Sequence, residues 1–182
     1  MPSDKERVYV ALYARAGSPK MPGQEDKFHW AIVLGPKAAG PESGGRMFHA
    51  KEVIAIVEGK TCFTWQLEER PTSMAPTQSI LARVVVGKVV SQKRLEAILR
   101  STPIQREQAD WNCVAWVQEA LQALKDDGRA LGTCFSDWPS VRNAAMNYVQ
   151  QKIVQHRYDG KADFDQRQVA TWDLLEGKEA MP

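Results

Sequence analysis

Cys113, His29 and His49 are the residues whose types and placement could do chemistry. Cys113 opens the clearest amphipathic helix of the chain, directly after Asp110-Trp111-Asn112. The first turn of a helix leaves backbone N–H groups unpaired and carries the positive end of the macrodipole, which favours a thiolate. A thiol placed there needs a base to take its proton, and the base needs a third group to hold its tautomer. The chain has three histidines, and His29 and His49 fall in neighbouring strand-like segments where they could fill those two roles. Asn112 is expected to cap the helix and is a candidate substrate-binding residue beside the nucleophile. Taken singly, each has an ordinary structural use, since helix cysteines are commonly small core residues and strand histidines commonly packing residues. Their coincidence is what points to nucleophilic catalysis. Cys62 and Cys134 read as core residues, and His156 has no assigned role, lying near the end of the last helix where a histidine can meet the terminal carbonyls.

The elements that must position these residues come strands first, helices after. Arg7 to Ala14 alternates Val8, Val10 and Leu12 with Tyr9, Ala11 and Tyr13, the period of a half-buried strand. Phe28 to Leu34 is a second strand ended by Gly35-Pro36, and the Gly- and Pro-rich stretch from 35 to 45 is a loop. Strand character resumes over Arg46–Ala50, Val53–Glu58, Thr61–Leu67 and Ile80–Val90. From Ser91 the period changes. Leu95, Ile98 and Leu99 share one face of a helix stopped by Pro103; Val114, Val117, Ala120, Leu121 and Leu124 form the stripe of the next, which Gly128 closes. Ser136-Asp137-Trp138-Pro139 opens a third, with Val141, Ala145, Tyr148, Val149 and Ile153 as its apolar positions. The expected organisation is one α+β domain over residues 1–160 and a polar C-terminal tail over 161–182.

Composition bounds the function classes. The 182 residues are 43% hydrophobic and 25% charged, enough for a sizeable core and far from disorder. Three cysteines with no close pair suit reduced thiols, and neither C-x-x-C nor H-x-x-x-H spacing is present, so no metal and no cofactor are expected. The longest apolar run, Val8 to Ala14, is too short to span a bilayer, and the N-terminus lacks the order of a secretory signal. A cytoplasmic protein with no membrane partner is the expectation. A net charge of +2 permits an anionic partner without demanding one.

Three short motifs carry a family resemblance. His29-Trp30-Ala31-Ile32-Val33-Leu34-Gly35 and Met47-Phe48-His49-Ala50 resemble the two histidine strands of the papain-like NlpC/P60 superfamily. Asn112-Cys113-x-x-Trp116-Val117 is similar to the cysteine helix of its circularly permuted branch, which includes the lecithin:retinol acyltransferase relatives and places the strands before the cysteine. The resemblance covers about residues 7–125 and implies a permuted papain-like fold with Cys113 as nucleophile, His29 as general base and His49 as orienting member. The loop between the two strands is longer than usual in that branch. The chain also lacks the C-terminal apolar anchor common among the retinol-acyltransferase relatives, so a lipid substrate is not expected.

A narrower resemblance is to small soluble fungal proteins that share the Val8–Tyr13 opening and include arginine-containing cyclodipeptide synthases. It implies arginyl-tRNA and a second aminoacyl-tRNA as partners, with an arginyl thioester on Cys113 released as a diketopiperazine. A guanidinium pocket would then draw its carboxylate from Glu52, Glu58, Glu68, Glu69, Glu119 or Asp137. Phosphate contacts would come from Lys93, Arg94 and Arg100, or from Arg142, Lys152, Arg157, Lys161 and Arg167 interleaved with Tyr148 and Tyr158. A thiol hydrolase with the same Cys-His-His triad and a non-catalytic binding module on the same fold stand as alternatives.

Overall fold

A computed structural model describes residues 5–182. β1 (Arg7–Ala14), β2 (Phe28–Gly35), β3 (Gly44–Val57), β4 (Lys60–Ser73) and β5 (Ile80–Val89) lead into α1 (Gln92–Ser101) and α2 (Cys113–Asp127). β6 (Leu131–Cys134), α3 (Trp138–Val154), β7 (Ala170–Asp173) and β8 (Lys178–Met181) complete the α+β fold. The strands form one mixed sheet in the order β4-β3-β2-β1-β5-β7-β8, with β6 paired to β5. Its neighbours are antiparallel except for β5 and β7, which run parallel.

The helices start where their caps dictate. Ser91 Oγ accepts from Arg94 N–H, Asn112 Oδ1 from Val114 and Ala115 N–H, and Asp137 Oδ2 from Ser140 N–H. Gly128 takes the left-handed conformation that ends α2, at φ 63°. The inward stripe of α2, from Val114 through Trp116 and Val117 to Leu121 and Leu124, packs with Val8, Val10, Leu12, Trp30, Ile32 and Phe48 as the main core.

Four expectations change. β1 is buried on both faces, because Tyr9, Ala11, Ala31 and Val33 join a second cluster under Met47 and Met74. The segments read as two strands over 46–50 and 53–58 are one strand, β3, which pairs with β4 along its full length around a Glu58-Gly59 turn. Both turn residues have positive φ, 50° and 74°, as two-residue hairpin turns require. β6 was not legible in the sequence as a strand. Residues 161–182, expected as a polar tail, hold β7 and β8: Val169, Ala170 and Thr171 are buried where β7 adds to the sheet.

Close approach of backbones is decided at Gly45. A Cβ there would lie 2.6 Å from the Leu34 carbonyl oxygen and 2.7 Å from Met74 Sδ. Met74 can shift, but the strand backbone cannot. Gly45→Val is expected to destabilise the fold by about 2 kcal/mol or more, read as a lower urea midpoint at unchanged slope; an unaltered midpoint would contradict this packing.

Candidate active site

The two histidines and one carboxylate form a chain of hydrogen bonds. His29 Nε2 lies 2.7 Å from His49 Nδ1, and His49 Nε2 lies 2.6 Å from Glu68 Oε2. β2 supplies the first residue, β3 the second, and β4 the third, where the hairpin register sets Glu68 directly opposite His49. The Glu68 carboxylate only accepts, so His49 carries its proton on Nε2 and presents a bare Nδ1. His29 must then donate from Nε2, which leaves the lone pair of His29 Nδ1 free to act as a base.

Electrostatics keeps both rings neutral. Burial, the His49 ring and Arg15 push the His29 pKa down to about 4, with Glu68 pulling weakly the other way. Burial also lowers His49, against the opposing pull of its bond to Glu68. Glu68 itself sits below the usual carboxylate range: burial works to raise it, and the hydrogen bonds from His49 and Lys51 outweigh that.

Cys113 lies at the first position of α2 with no exposed surface. Burial raises its pKa, while the Trp30 backbone N–H and the nearby Arg15 charge pull it back in part. The helix terminus favours a thiolate, but desolvation outweighs it, which leaves the proton for a base to take. Trp30 is the residue after His29, so the sulfur meets the backbone of β2 one position from the base. No hydrogen bond joins Cys113 to His29 among the described residues. Since the N-cap side chain satisfies Val114 and Ala115, and Cys113 N–H bonds no backbone carbonyl among the described residues and meets its own sulfur, that N–H is the donor an oxyanion formed at the sulfur would find closest.

In the resting protein at neutral pH, Cys62 and Cys134, both partly exposed, are expected to alkylate ahead of Cys113. Cys113 should speed up only as pH rises beyond the ordinary thiol range. Peptide mapping after timed iodoacetamide treatment reads this order, and Cys113 labelling first at pH 7 would contradict it.

Asn112 is the helix cap, and its Nδ2 also meets Met21 Sδ at 3.4 Å. It lines a cleft of about 510 Å³ together with Arg15, Lys20, Asp26, Glu52, Trp65, Asp110 and Trp111. That volume suits a small-molecule group. The remaining carboxylates proposed for a guanidinium are committed elsewhere: Glu69 to Arg46 and Arg100, Glu119 to Trp111 Nε1, Asp137 to the cap of α3. Glu58 sits in the hairpin turn.

Most of the cations expected to meet phosphates are also engaged. Arg94 pairs with Asp127, Arg100 with Glu69 and Glu96, Arg142 with Glu25, Arg167 with Asp165, and Lys152 is buried against Glu179. His156, which the sequence leaves without a role, bonds Asp159 through its ring at 2.7 Å on an exposed turn.

Glu68 is the member of the relay that the sequence offered only as one of several carboxylates for a guanidinium; Arg70 Nε also lies 3.4 Å from its Oε2. Counting outward equally from a Glu58-Gly59 turn pairs residue 49 with residue 68, so the signal was the hairpin register rather than any motif.

Fold and site together define an α+β protein with a buried cysteine at a helix N-terminus beside a His-His-Glu relay. The chain belongs to a family of unknown function, DUF6914, whose model matches residues 5–181. Neither the curated proteins nor the solved structures yield a match.

Proposed function

We propose that this protein is a cysteine-dependent acyl transferase on a permuted papain-like fold, with Cys113 as nucleophile, His29 as general base and His49 as its orienting partner. The observation that carries the reading is the hydrogen-bond chain from Glu68 through His49 to His29, which fixes both tautomers and leaves His29 Nδ1 unprotonated. Glu68 extends the expected triad by one member and holds the positive charge that develops on the histidines.

Because the thiol is protonated at rest, its proton leaves during attack. His29 Nδ1 takes the proton from Sγ as the S–C bond forms, and the Cys113 N–H faces the oxyanion. Collapse breaks the acyl C–O bond, and His29 returns the proton to the leaving hydroxyl. An incoming amine then attacks the thioester, forming a C–N bond and releasing the thiol.

The resemblance to arginine-containing cyclodipeptide synthases makes the acyl group arginyl and the leaving group tRNA. The cleft beside Asn112 supports that choice with two carboxylates unpaired among the described residues, Glu52 and Asp110, with Trp65 and Trp111 for stacking a planar guanidinium, and with Arg15 and Lys20 for a terminal phosphate. In this scheme the α-amine of a second aminoacyl-tRNA accepts the arginyl group. The arginyl α-amine then closes on the second ester carbonyl and expels that tRNA.

Mass spectrometry of extracts from cells expressing wild type and Cys113→Ala tests the reading. An arginine-containing diketopiperazine present only with wild type is expected. Indistinguishable extracts from two folded, soluble proteins would sink the synthase reading, and release of free arginine from arginyl-tRNA by wild type alone would identify a hydrolase.

A further inference from the structure

On the opposite side of β1 from β2, a second cleft of about 320 Å³ is lined by Arg7, Tyr9, Lys37, Arg83, Thr171, Asp173 and Lys178 among others. Arg83 is 2% exposed and Arg7 is 4% exposed. Neither has a carboxylate within ion-pair distance among the described residues. A buried guanidinium without a counter-charge is costly, which is why such groups are normally paired.

The unpaired edge of Arg83 has a defined shape. Its Nη1 donates to the Met74 carbonyl at 3.1 Å and meets Met74 Sδ at 3.5 Å. Its Nε is buried with no partner, and its Nη2 makes no hydrogen bond among the described residues. Nε and Nη2 form the side of the guanidinium that receives two oxygens of one carboxylate or phosphate in parallel bonds. Tyr9 holds Arg83 in place by a cation–π contact, with the guanidinium 5.5 Å from the ring centroid, and Tyr9 is itself tied to the Pro36 carbonyl at 2.6 Å. Arg7 adds a second guanidinium on the same strand face, bonded through Nη1 to the Lys5 carbonyl at 2.7 Å.

The acids around the cleft are accounted for. Glu176 pairs with Lys178 and Lys37, and Glu179 with Lys152. Asp173 Oδ1 accepts from Leu175 and Glu176 N–H. Two arginines against one aspartate leave the cleft net positive.

We propose that this cleft is an oxyanion-binding site in which Arg83 Nε and Nη2 grip one phosphoryl or carboxylate group and Arg7 supplies the second cation. The site is separate from the cleft beside Asn112, shares no lining residue with it, and does not depend on the acyl-transfer reading.

The test uses the full chain and thermal unfolding in inorganic phosphate, in acetate, and in sodium chloride of matched ionic strength, together with the ³¹P line width of phosphate. Saturating phosphate is expected to raise the midpoint of wild type by about 5 °C or more beyond the chloride control and to broaden the ³¹P line. A rise with acetate alone would assign the site to carboxylates instead. Arg83→Met is expected to fold with an undiminished midpoint in chloride, since it removes an uncompensated charge, and to lose the anion effect; Arg7→Gln should weaken it. A rise no larger than chloride gives, with both anions, would overturn the proposal whatever the variants do. So would an Arg83→Met protein that keeps the full effect.

Discussion

Cys113→Ala is expected to abolish acyl transfer, with a loss of about 10⁴-fold or more. In the proposed scheme the thiol carries the acyl group, so no other group would substitute for it. The substitution removes one atom from a buried position among Val114, Trp116, Val117 and Trp30, so the fold should lose only about 1 kcal/mol, and a circular-dichroism melt separates inactivity from unfolding. His29→Ala should cost nearly as much, because nucleophile and base act as one unit, and the double variant should be no worse than either single one. Glu68→Gln keeps an acceptor for His49 Nε2 but loses the charge, and a smaller fall of about 10–100-fold is expected. Equal activity of wild type and Cys113→Ala in any acyl-transfer assay would end the covalent scheme.

The second large effect is on acid stability. His29 binds a proton near pH 4 when folded and near its ordinary value of 6.5 when unfolded, so between those limits the unfolded chain binds more protons. Its contribution is therefore fully present above about pH 6.5 and is lost as pH falls towards 4, amounting to about 3 kcal/mol. His49, lowered as well, adds loss in the same direction. The groups facing these rings are Tyr13 from β1, Arg15 just beyond it, and Glu68 with Arg70 and Lys51 from the hairpin. Urea unfolding at steps from pH 7 to 4.5 should show a falling free energy, and His29→Phe should flatten the fall. A wild-type stability that does not change across this range would contradict neutral, buried histidines. In the proposed scheme the same low pKa would place the acid limb of kcat/KM well below pH 6.5.

What could be read from the sequence follows from where burial imposes a period. β1, β2 and β5 lie in the middle of the sheet, and α2 and α3 carry continuous apolar stripes and explicit caps, so their patterns stand out. β3 was split because Lys51 and Glu52 interrupt its apolar run, and beyond its short pairing with β2 the strand projects as a hairpin arm with Ile54, Ile56 and Phe63 exposed. An arm without a buried face has no alternation to read. β7 owes its place to parallel pairing with β5, distant in sequence, which four residues cannot signal.

At the site, His29, His49 and Cys113 could be named because residue type and element start carry their chemistry. Glu68 could not, because a carboxylate's role depends on what lies opposite it across a hairpin. The protonation state of Cys113 is hidden for a related reason: the helix terminus is local and visible, while the burial that outweighs it is supplied by β2 and the rest of the core.

The most direct measurement is the intact mass of wild-type protein after brief incubation with arginyl-tRNA and no second aminoacyl-tRNA. The expected result is a fraction of protein heavier by one arginyl residue, mapped to Cys113, discharged by hydroxylamine and absent in Cys113→Ala. Folded protein that gains no such mass, or that carries it on another residue, would contradict Cys113 as the acyl carrier.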